Sequence, residues 1–183
     1  MLLPFFETIK TSILPPSELF PWLTHTKSLT KKLKEQAGEA HLIVLKQYWR
    51  NMTWWNRYVF ELDASQPVFQ REIIISAQGK KCWYARTIIP AHTYHTHQSF
   101  FARLEHESLG HLIFDNQEIT RLALDYYLIT PKSIEYYWLK SVITGNEENL
   151  WGRLAVFTIN TQDPFYLVEI FLPDLLKVAH ELE

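Results

Sequence analysis

The stretch REIIISAQGKKCWYARTIIP, residues 71–90, decides the fold of this chain, because it reads as two β-strands joined by a tight turn. Side chains on a strand alternate between its two faces. Arg71 therefore shares a face with the apolar Ile73 and Ile75, whereas Glu72 points the other way. A buried guanidinium is costly unless something pairs with it. The pattern predicts that Arg71 has a partner, which is either another side chain or a ligand.

A carboxylate stands in a comparable position in FYLVEIFLP, residues 165–173. Glu169 alternates with Leu167 and Phe171, and the opposite face of the same strand is apolar too. A strand that is apolar on both faces lies in the centre of a sheet, so we expect Glu169 to be buried. Two alternatives stay open at this point: a structural ion pair between Arg71 and Glu169, or charges that face a ligand.

Length and composition limit the class of protein. A chain of 183 residues with five glycines is expected to form a single domain, residues 1–183, without a flexible linker. The net charge of −2 and the absence of a basic stripe argue against a nucleic-acid partner. A single cysteine, Cys82, excludes an intramolecular disulfide. The N-terminal sequence lacks the pattern of a signal peptide and no apolar run could span a bilayer, so we expect a cytoplasmic protein.

The order of the predicted elements gives the fold class. The prolines of residues 1–25 indicate an irregular, partly helical lead-in, and Ser28 is expected to cap a helix that ends at Gly38. Residues 41–49 read as a strand, with residues 51–63 (NMTWWNRYVFELD) as its hairpin partner. Residues 118–143 fit either a strand or a helix. With further strands near the C-terminus, the sequence predicts an α+β fold with an antiparallel sheet of about six strands.

Histidines cluster after Pro90, in a segment predicted as a loop that becomes helical in its later part. His92, His95 and His97 are close in sequence, but a metal site needs converging ligands and groups that orient them. Histidines in such a run are usually exposed polar side chains. We therefore expect no metal site.

Four motifs occur in an order that identifies a family. They are SLTKKL (28–33), REIIISAQGKKCWYARTIIP (71–90), SLGHLIF (108–114) and VEIFLP (168–173), with the Trp-Gly-Arg of residues 151–153 before the last. Each is weak by itself, but together they cover nearly the whole chain. In this order they resemble the chorismate pyruvate-lyase family.

The resemblance implies an enzyme that splits chorismate into 4-hydroxybenzoate and pyruvate, the first step of ubiquinone biosynthesis, without a cofactor or a metal. It also implies flap-like loops that cover a buried ligand pocket, and we expect a monomer. The alternative function belongs to another class. The same architecture resembles the ligand-sensing domains of a family of bacterial transcription regulators, which bind a small molecule, such as an aromatic acid, without chemistry.

The resemblance also assigns residues. Arg71 matches the anchor of the ring carboxylate, and Glu169 matches the carboxylate that faces the ring hydroxyl, so these two are the predicted catalytic residues. Leu29, where the family usually has Met, and Leu109 complete the predicted substrate-binding set. Arg86 and Arg153 are further candidates for the second carboxylate of chorismate.

The sequence departs from the family pattern at two places. The segment between Arg121 and Trp151 is longer than the family pattern, and this insertion is expected to alter a surface hairpin or a partner contact more than the pocket. Leu154 and Ala155 stand where the family has Arg and Ser. By alternation, Leu154 falls on the opposite face from Arg153, so the missing arginine is expected to be peripheral.

Overall fold

The hairpin predicted from residues 71–90 is present in the computed structural model, which describes residues 13–60, 66–114, 116–143 and 148–180. Strand β2 spans Pro67–Ala77 and strand β3 spans Lys80–Pro90. Gln78 and Gly79 join them with φ angles of 52° and 71°. Positive φ at both central residues is what the two-residue turns favoured in hairpins require.

Six antiparallel strands form one sheet in the order β1-β2-β3-β6-β5-β4. The remaining strands are β1 (His41–Asn51), β4 (Ile119–Ile129), β5 (Leu150–Ile159) and β6 (Asp163–Phe171). The described part of the chain also contains eight α-helices and one 3₁₀-helix. The helices are α1 (Phe20–Leu23), α2 (Leu29–Ala37), α3 (Trp54–Phe60), α4 (Ala91–Thr96), α5 (Gln98–Ala102), α6 (Leu109–Phe114), α7 (Ile134–Trp138) and α8 (Asp174–His180), and the 3₁₀-helix is Arg103–Glu105. The α+β class and the six-stranded antiparallel sheet are confirmed.

Both faces of the sheet are covered, and β6 lies between β3 and β5 as its two apolar faces predicted. We call the face that carries Arg71 and Glu169 the cavity face. Helices α1, α2, α5, α6 and α8 pack there against Ile73, Ile75, Leu167 and Phe171. The other side, here the second face, is covered by α3 and by the segment that contains α7. The alternation of side chains along β2 and β6 therefore predicted correctly which of them share a face of the sheet.

The predicted helix after Ser28 is confirmed with both of its caps. The Ser28 side chain accepts a hydrogen bond from the backbone N–H of Lys31 at 3.3 Å. Gly38 ends the helix with φ 78°, a left-handed conformation that glycine adopts without steric cost. Local side-chain chemistry decides both ends of α2.

The hairpin partner predicted for residues 51–63 is wrong, because Trp54–Phe60 forms helix α3. Residues 61–63 lie outside the described residues. Asn56 accepts a hydrogen bond from the backbone N–H of Thr53 at 3.1 Å, and Thr53 accepts one from the backbone N–H of Asn56 at 3.3 Å. These reciprocal bonds resemble a capping box and start the helix. Burial of Trp55 and Val59, four residues apart, then fixes its inner face.

Two other segments also differ from a simple interpretation of the sequence. The histidine-containing segment is helical from Ala91 onward, so its first part is not the predicted loop. Residues 118–143 divide into strand β4 and helix α7, which explains why no single periodicity describes them. Of the proline-rich lead-in, residues 1–12 lie outside the described residues, and Phe20–Leu23 is helical. None of the helices in the described ranges is both long enough and apolar enough to cross a membrane.

Gly152 on β5 is a tightly packed position that supports the centre of the sheet. A Cβ atom there would lie 2.7 Å from Cδ1 of Ile129 and 3.3 Å from the backbone carbonyl oxygen of Glu169. We expect Gly152→Ala to lower the free energy of unfolding by about 1–3 kcal/mol, because the sheet has to shift around the new methyl group. Urea denaturation measures this change.

Ile129→Val provides the control for this prediction, since it removes the methyl group nearest to the added Cβ. Ile129→Val alone should lower the free energy of unfolding by about 0.5–1.5 kcal/mol. The double variant should lose less stability than the sum of the two single variants. Simple additivity would contradict the assignment of the clash to Ile129.

Candidate active site

A cavity lies between the cavity face of the sheet and the first turns of α2 and α6. The strands contribute Ile73, Ala85, Ala155, Leu167 and Glu169 to its wall, and the helices contribute Leu29 and Leu109. Two serine side chains also line the cavity: Ser28 directly precedes α2, and Ser108 directly precedes α6. The cavity has the composition of a small-molecule site, with apolar walls and a few convergent polar groups.

The two helices that cover the cavity approach each other closely at Gly110. A Cβ atom on this glycine would lie 3.0 Å from Oγ of Ser28. Because glycine leaves this contact free of a side chain, the beginnings of α2 and α6 can meet beside the cavity that both helices line.

Glu169 forms a buried ion pair with Arg153, its direct neighbour across β5 and β6. Nε of Arg153 donates to Oε2 of Glu169 at 2.5 Å. Nη1 of the same guanidinium donates to the backbone carbonyl oxygens of His25 at 2.8 Å and Trp22 at 3.3 Å. The structural alternative, an ion pair between Arg71 and Glu169, is therefore wrong, because Arg153 occupies the adjacent strand and is closer.

Arg71 is fully buried, with 0% of its surface exposed. Nη2 donates to the backbone carbonyl oxygen of Glu107 at 3.0 Å. Nε and Nη1 are buried and have no hydrogen-bond partner among the residues that the structure describes. Burial lowers the pKa of this guanidinium to about 10, so it stays charged at neutral pH.

The position of Arg71 relative to the cavity follows from the sheet register. It pairs with Thr87 on β3, and Thr87 pairs with Leu167, which lines the cavity. Arg71 itself lies beside the wall and is not part of it. Arg71 contacts the carbonyl group of Glu107, and the next residue, Ser108, lines the cavity. The structure thus brings Leu29, Leu109 and Glu169 to one cavity and places Arg71 next to them.

Positive charge exceeds negative charge around this cavity. Its wall contains Lys27, Arg121 and Arg153, whereas Glu169 is its one carboxylate among the described residues. Burial lowers the pKa of Arg121, and the nearby charge of Arg153 lowers it further. An anion bound between Arg121 and Arg153 would relieve the repulsion that lowers the pKa of Arg121.

Arg121 was missed by the sequence analysis. The register of β4 against β5 shifts between Arg121 and Ala123, so strict alternation fails there. A bulge of this kind leaves no clear signal in the sequence. The nearest available signal is the charged side chain itself, in a segment that is otherwise rich in apolar residues.

Arg86 does not belong to this site, which corrects its assignment as a candidate for the second carboxylate. It lies opposite Val168 on β6 and therefore faces the second face. There it pairs with Glu72, with 3.2 Å between Nη2 and Oε1. The other candidate, Arg153, does line the cavity.

The histidines after Pro90 contact side chains of the fold. His97 lies 2.8 Å from Asp163, and His95 stacks on the ring of Trp49. Within the described ranges, no group of three or more metal-ligating side chains comes together. The expected absence of a metal stays a prediction.

Comparisons with known proteins identify the family. A sequence model described as chorismate lyase matches residues 8–180. The chain belongs to the chorismate lyase family. It is 25% identical over 158 residues to a protein named probable chorismate pyruvate-lyase from Methylobacillus flagellatus, covering 86% of this chain and 88% of that protein. It is also 22% identical over 159 residues to the chorismate pyruvate-lyase of Pectobacterium atrosepticum, covering 87% and 79% of the two chains.

Solved structures show where else this fold occurs. The effector domain of PhnF from Mycobacterium smegmatis superposes with a TM-score of 0.58 at 19% identity, over 82% of this chain and 91% of that domain. PhnF itself gives a TM-score of 0.60 at 17% identity, over 82% of this chain and 66% of that chain. At such identities the likeness shows the fold alone. The chorismate lyase fold is thus shared with the effector domain of PhnF.

The departures from the family pattern lie mostly away from the cavity. Within the long segment between Arg121 and Trp151, the described residues form β4, α7, the start of β5 and the turns that connect them, and none of them lines the cavity. Leu154 is buried on the second face, as alternation predicted. Ala155 does line the cavity, where its small side chain leaves room.

Replacing Arg71 or Arg153 by Met tests which of the two buried charges stabilises the fold. Arg153 is paired with a carboxylate, whereas, among the described residues, Arg71 is not. Arg153→Met strands Glu169 and should lower the free energy of unfolding by about 3–5 kcal/mol. Arg71→Met removes a charge that has one hydrogen bond, so we expect a loss of at most about 1 kcal/mol or a gain. Thermal and urea denaturation of the ligand-free variants measure both. Equal destabilisation by the two substitutions would show that Arg71 is a structural residue.

Proposed function

We propose that this protein is a chorismate pyruvate-lyase that converts chorismate to 4-hydroxybenzoate and pyruvate. The observation that carries the proposal is the buried guanidinium of Arg71, which keeps two donors unpartnered among the described residues beside a cavity that contains Glu169. Membership of the chorismate lyase family supports the same reaction. We also propose that residues 1–183 form one catalytic domain, which works as a cytoplasmic monomer.

The charges around the cavity fit the substrate. Chorismate has a ring carboxylate, a ring hydroxyl and a second carboxylate on its enolpyruvyl ether. In the proposed complex, Arg71 binds the ring carboxylate with its planar fork of donors, which suits a bidentate pair. The carbonyl group of Glu107 occupies one donor of Nη2, and Nε and Nη1 remain for the ligand.

Glu169 is the proposed partner of the ring hydroxyl. Strand spacing places its Cα atom about 12 Å from that of Arg71, since β2 and β6 are two strands apart and the residues are offset by two positions. Two side chains at this separation can reach opposite ends of one six-membered ring. Leu29 and Leu109 close the cavity above the ring and exclude water.

The second carboxylate needs its own cation. Arg121 and Arg153 both line the cavity, and Arg153 is held in place by Glu169 and two backbone carbonyl groups. We propose that Arg121 contacts the enolpyruvyl carboxylate directly, because its guanidinium is not used in the central ion pair. Arg153 adds positive potential on the same side of the cavity.

The reaction breaks one carbon–oxygen bond and makes an aromatic ring. The bond between the ring and the enolpyruvyl oxygen is cleaved, and the ring carbon that bears the hydroxyl loses its hydrogen as a proton. The released enolpyruvate gains a proton on its methylene carbon and becomes pyruvate. Aromatisation supplies the driving force, so the protein has to hold the reactive conformer and stabilise the developing negative charge on the leaving group.

The proposed role of Glu169 is to orient the ring hydroxyl and to accept a proton as the ring becomes aromatic. The reaction needs no metal or cofactor for either step. As a supplier of 4-hydroxybenzoate, the enzyme would open ubiquinone biosynthesis.

Incubation of the purified protein with chorismate tests the proposed function directly. We expect 4-hydroxybenzoate and pyruvate to appear in equal amounts, at the same rate with and without a chelator. The appearance of neither product would contradict the lyase. Loss of activity in chelator that zinc restores would contradict metal-free catalysis.

The same experiment decides the second candidate function, a domain that binds an aromatic acid without chemistry. The fold shared with the PhnF effector domain is compatible with this alternative, whereas membership of the chorismate lyase family supports the lyase. Tight binding of 4-hydroxybenzoate without turnover of chorismate would support it.

Glu169→Gln tests the catalytic role, because it keeps the shape and hydrogen bonding of the side chain but removes the charge. We expect turnover of chorismate to fall by at least about 100-fold, whereas the affinity for 4-hydroxybenzoate changes by less than about tenfold. Asp163→Asn, at the other end of β6, is the matched control and should keep turnover near that of the wild type. A collapse of stability with normal turnover of the folded fraction would make Glu169 a structural partner of Arg153.

A further inference from the structure

A second cleft lies on the opposite side of the sheet from the candidate active site. It has a volume of about 570 Å³ and is bordered by the end of β1, by β3 and by the segment around α7. Six of the residues that line it are Arg50, Trp55, Arg86, Lys132, Tyr137 and Trp138. Three of these six, Lys132, Tyr137 and Trp138, come from the segment that is longer than the family pattern.

Arg86 forms the polar floor of this cleft and is held in a fixed orientation. It is 8% exposed. Its Nε donates to the hydroxyl of Tyr84 at 2.9 Å, and Nη2 donates to Glu72 at 3.2 Å. In the described part of the chain, Nη1 has no hydrogen-bond partner, so one donor of a pre-oriented guanidinium remains for a ligand.

The walls of the cleft are aromatic. The ring of Trp138 lies over the Arg86 guanidinium, with 3.6 Å between Cζ and the ring centroid. Trp55 meets Trp138 edge to face, with 4.7 Å between centroids, and its indole N–H donates to Glu135 at 2.9 Å. Tyr137 lines the exposed side. These contacts fix Trp55 and Trp138 next to the cationic floor.

The balance of charge around the cleft is positive. Arg50, Arg86 and Lys132 line it, and Glu72 neutralises one of these three charges. Nε of Arg50 is buried without a hydrogen-bond partner among the described residues. Glu135 accepts a hydrogen bond from the indole of Trp55 and does not line the cleft. Two cationic charges are therefore left for an anion.

We propose that this second cleft binds a small aromatic carboxylate. A planar guanidinium and a second cation suit a carboxylate, and the tryptophan and tyrosine rings suit a flat apolar ring. Phosphate would bind to the cationic side chains but would make no contact with the aromatic rings of the walls. The site is separate from the candidate active site, and the proposal does not depend on the reaction proposed above.

Indole N–H signals in ¹⁵N-labelled full-length protein distinguish the two sites. Trp55 and Trp138 report on the second cleft, and Trp83 reports on the cavity. Titration with benzoate should shift the first two signals saturably, with a Kd on the order of 1 mM, as expected for a fragment of this size. Benzyl alcohol, which has the ring without the charge, should leave them unchanged.

Charge variants test the proposed contacts. Lys132→Glu, at an exposed position, and Arg50→Gln should each weaken the benzoate response of Trp55 and Trp138 by about tenfold, without changing that of Trp83. Lys177→Gln on α8 is the matched control, since this exposed lysine pairs with Asp174 far from the cleft. It should leave all three responses as in the wild type.

Three results would overturn the proposal. The first is the absence of a saturable shift at Trp55 and Trp138. The second is an equal response to inorganic phosphate, which would make the cleft a general anion site. The third is an unchanged affinity for benzoate in both Lys132→Glu and Arg50→Gln.

Discussion

The ion pair between Arg153 and Glu169 is the contact on which the candidate site depends. It joins the neighbouring strands β5 and β6, and both residues are at most 6% exposed. The same guanidinium holds the backbone carbonyl groups of Trp22 and His25, so it positions the segment that leads into α2. Because Arg153 satisfies Glu169, the charge of Arg71 is left for something else. A sheet that needed Arg71 for its own stability would have no such spare cation.

The sheet carries polar groups on both of its buried faces, and the two sets are organised differently. On the cavity face, Arg71 keeps unpartnered donors and the surrounding wall is mostly apolar. On the second face, Glu72 accepts hydrogen bonds from Gln70, Tyr48 and Arg86 in one network. Adjacent residues of β2 therefore serve opposite sides of the molecule. This arrangement places two clefts with excess positive charge on the two faces of a single sheet.

Prediction from the sequence succeeded where local chemistry is decisive. The two-residue turn at Gln78 and Gly79 and the caps of α2 follow from residue type alone. Prediction failed for Trp54–Phe60, because aromatic residues suit strands and helices alike and the start of α3 depends on hydrogen bonds between Thr53 and Asn56. It also missed Arg121, since a register shift in β4 breaks the alternation that would have revealed it.

The sequence by itself determined which apolar side chains share a strand face with Arg71 and which share one with Glu169, and hence that both charged residues are buried. It also determined the family, through motifs spread along the chain. Which charges meet was decided by the tertiary structure. Alternation has a period of two along one strand and carries no information about the order of strands, so it could not show that Arg153 lies next to Glu169 or that Arg86 belongs to the second face.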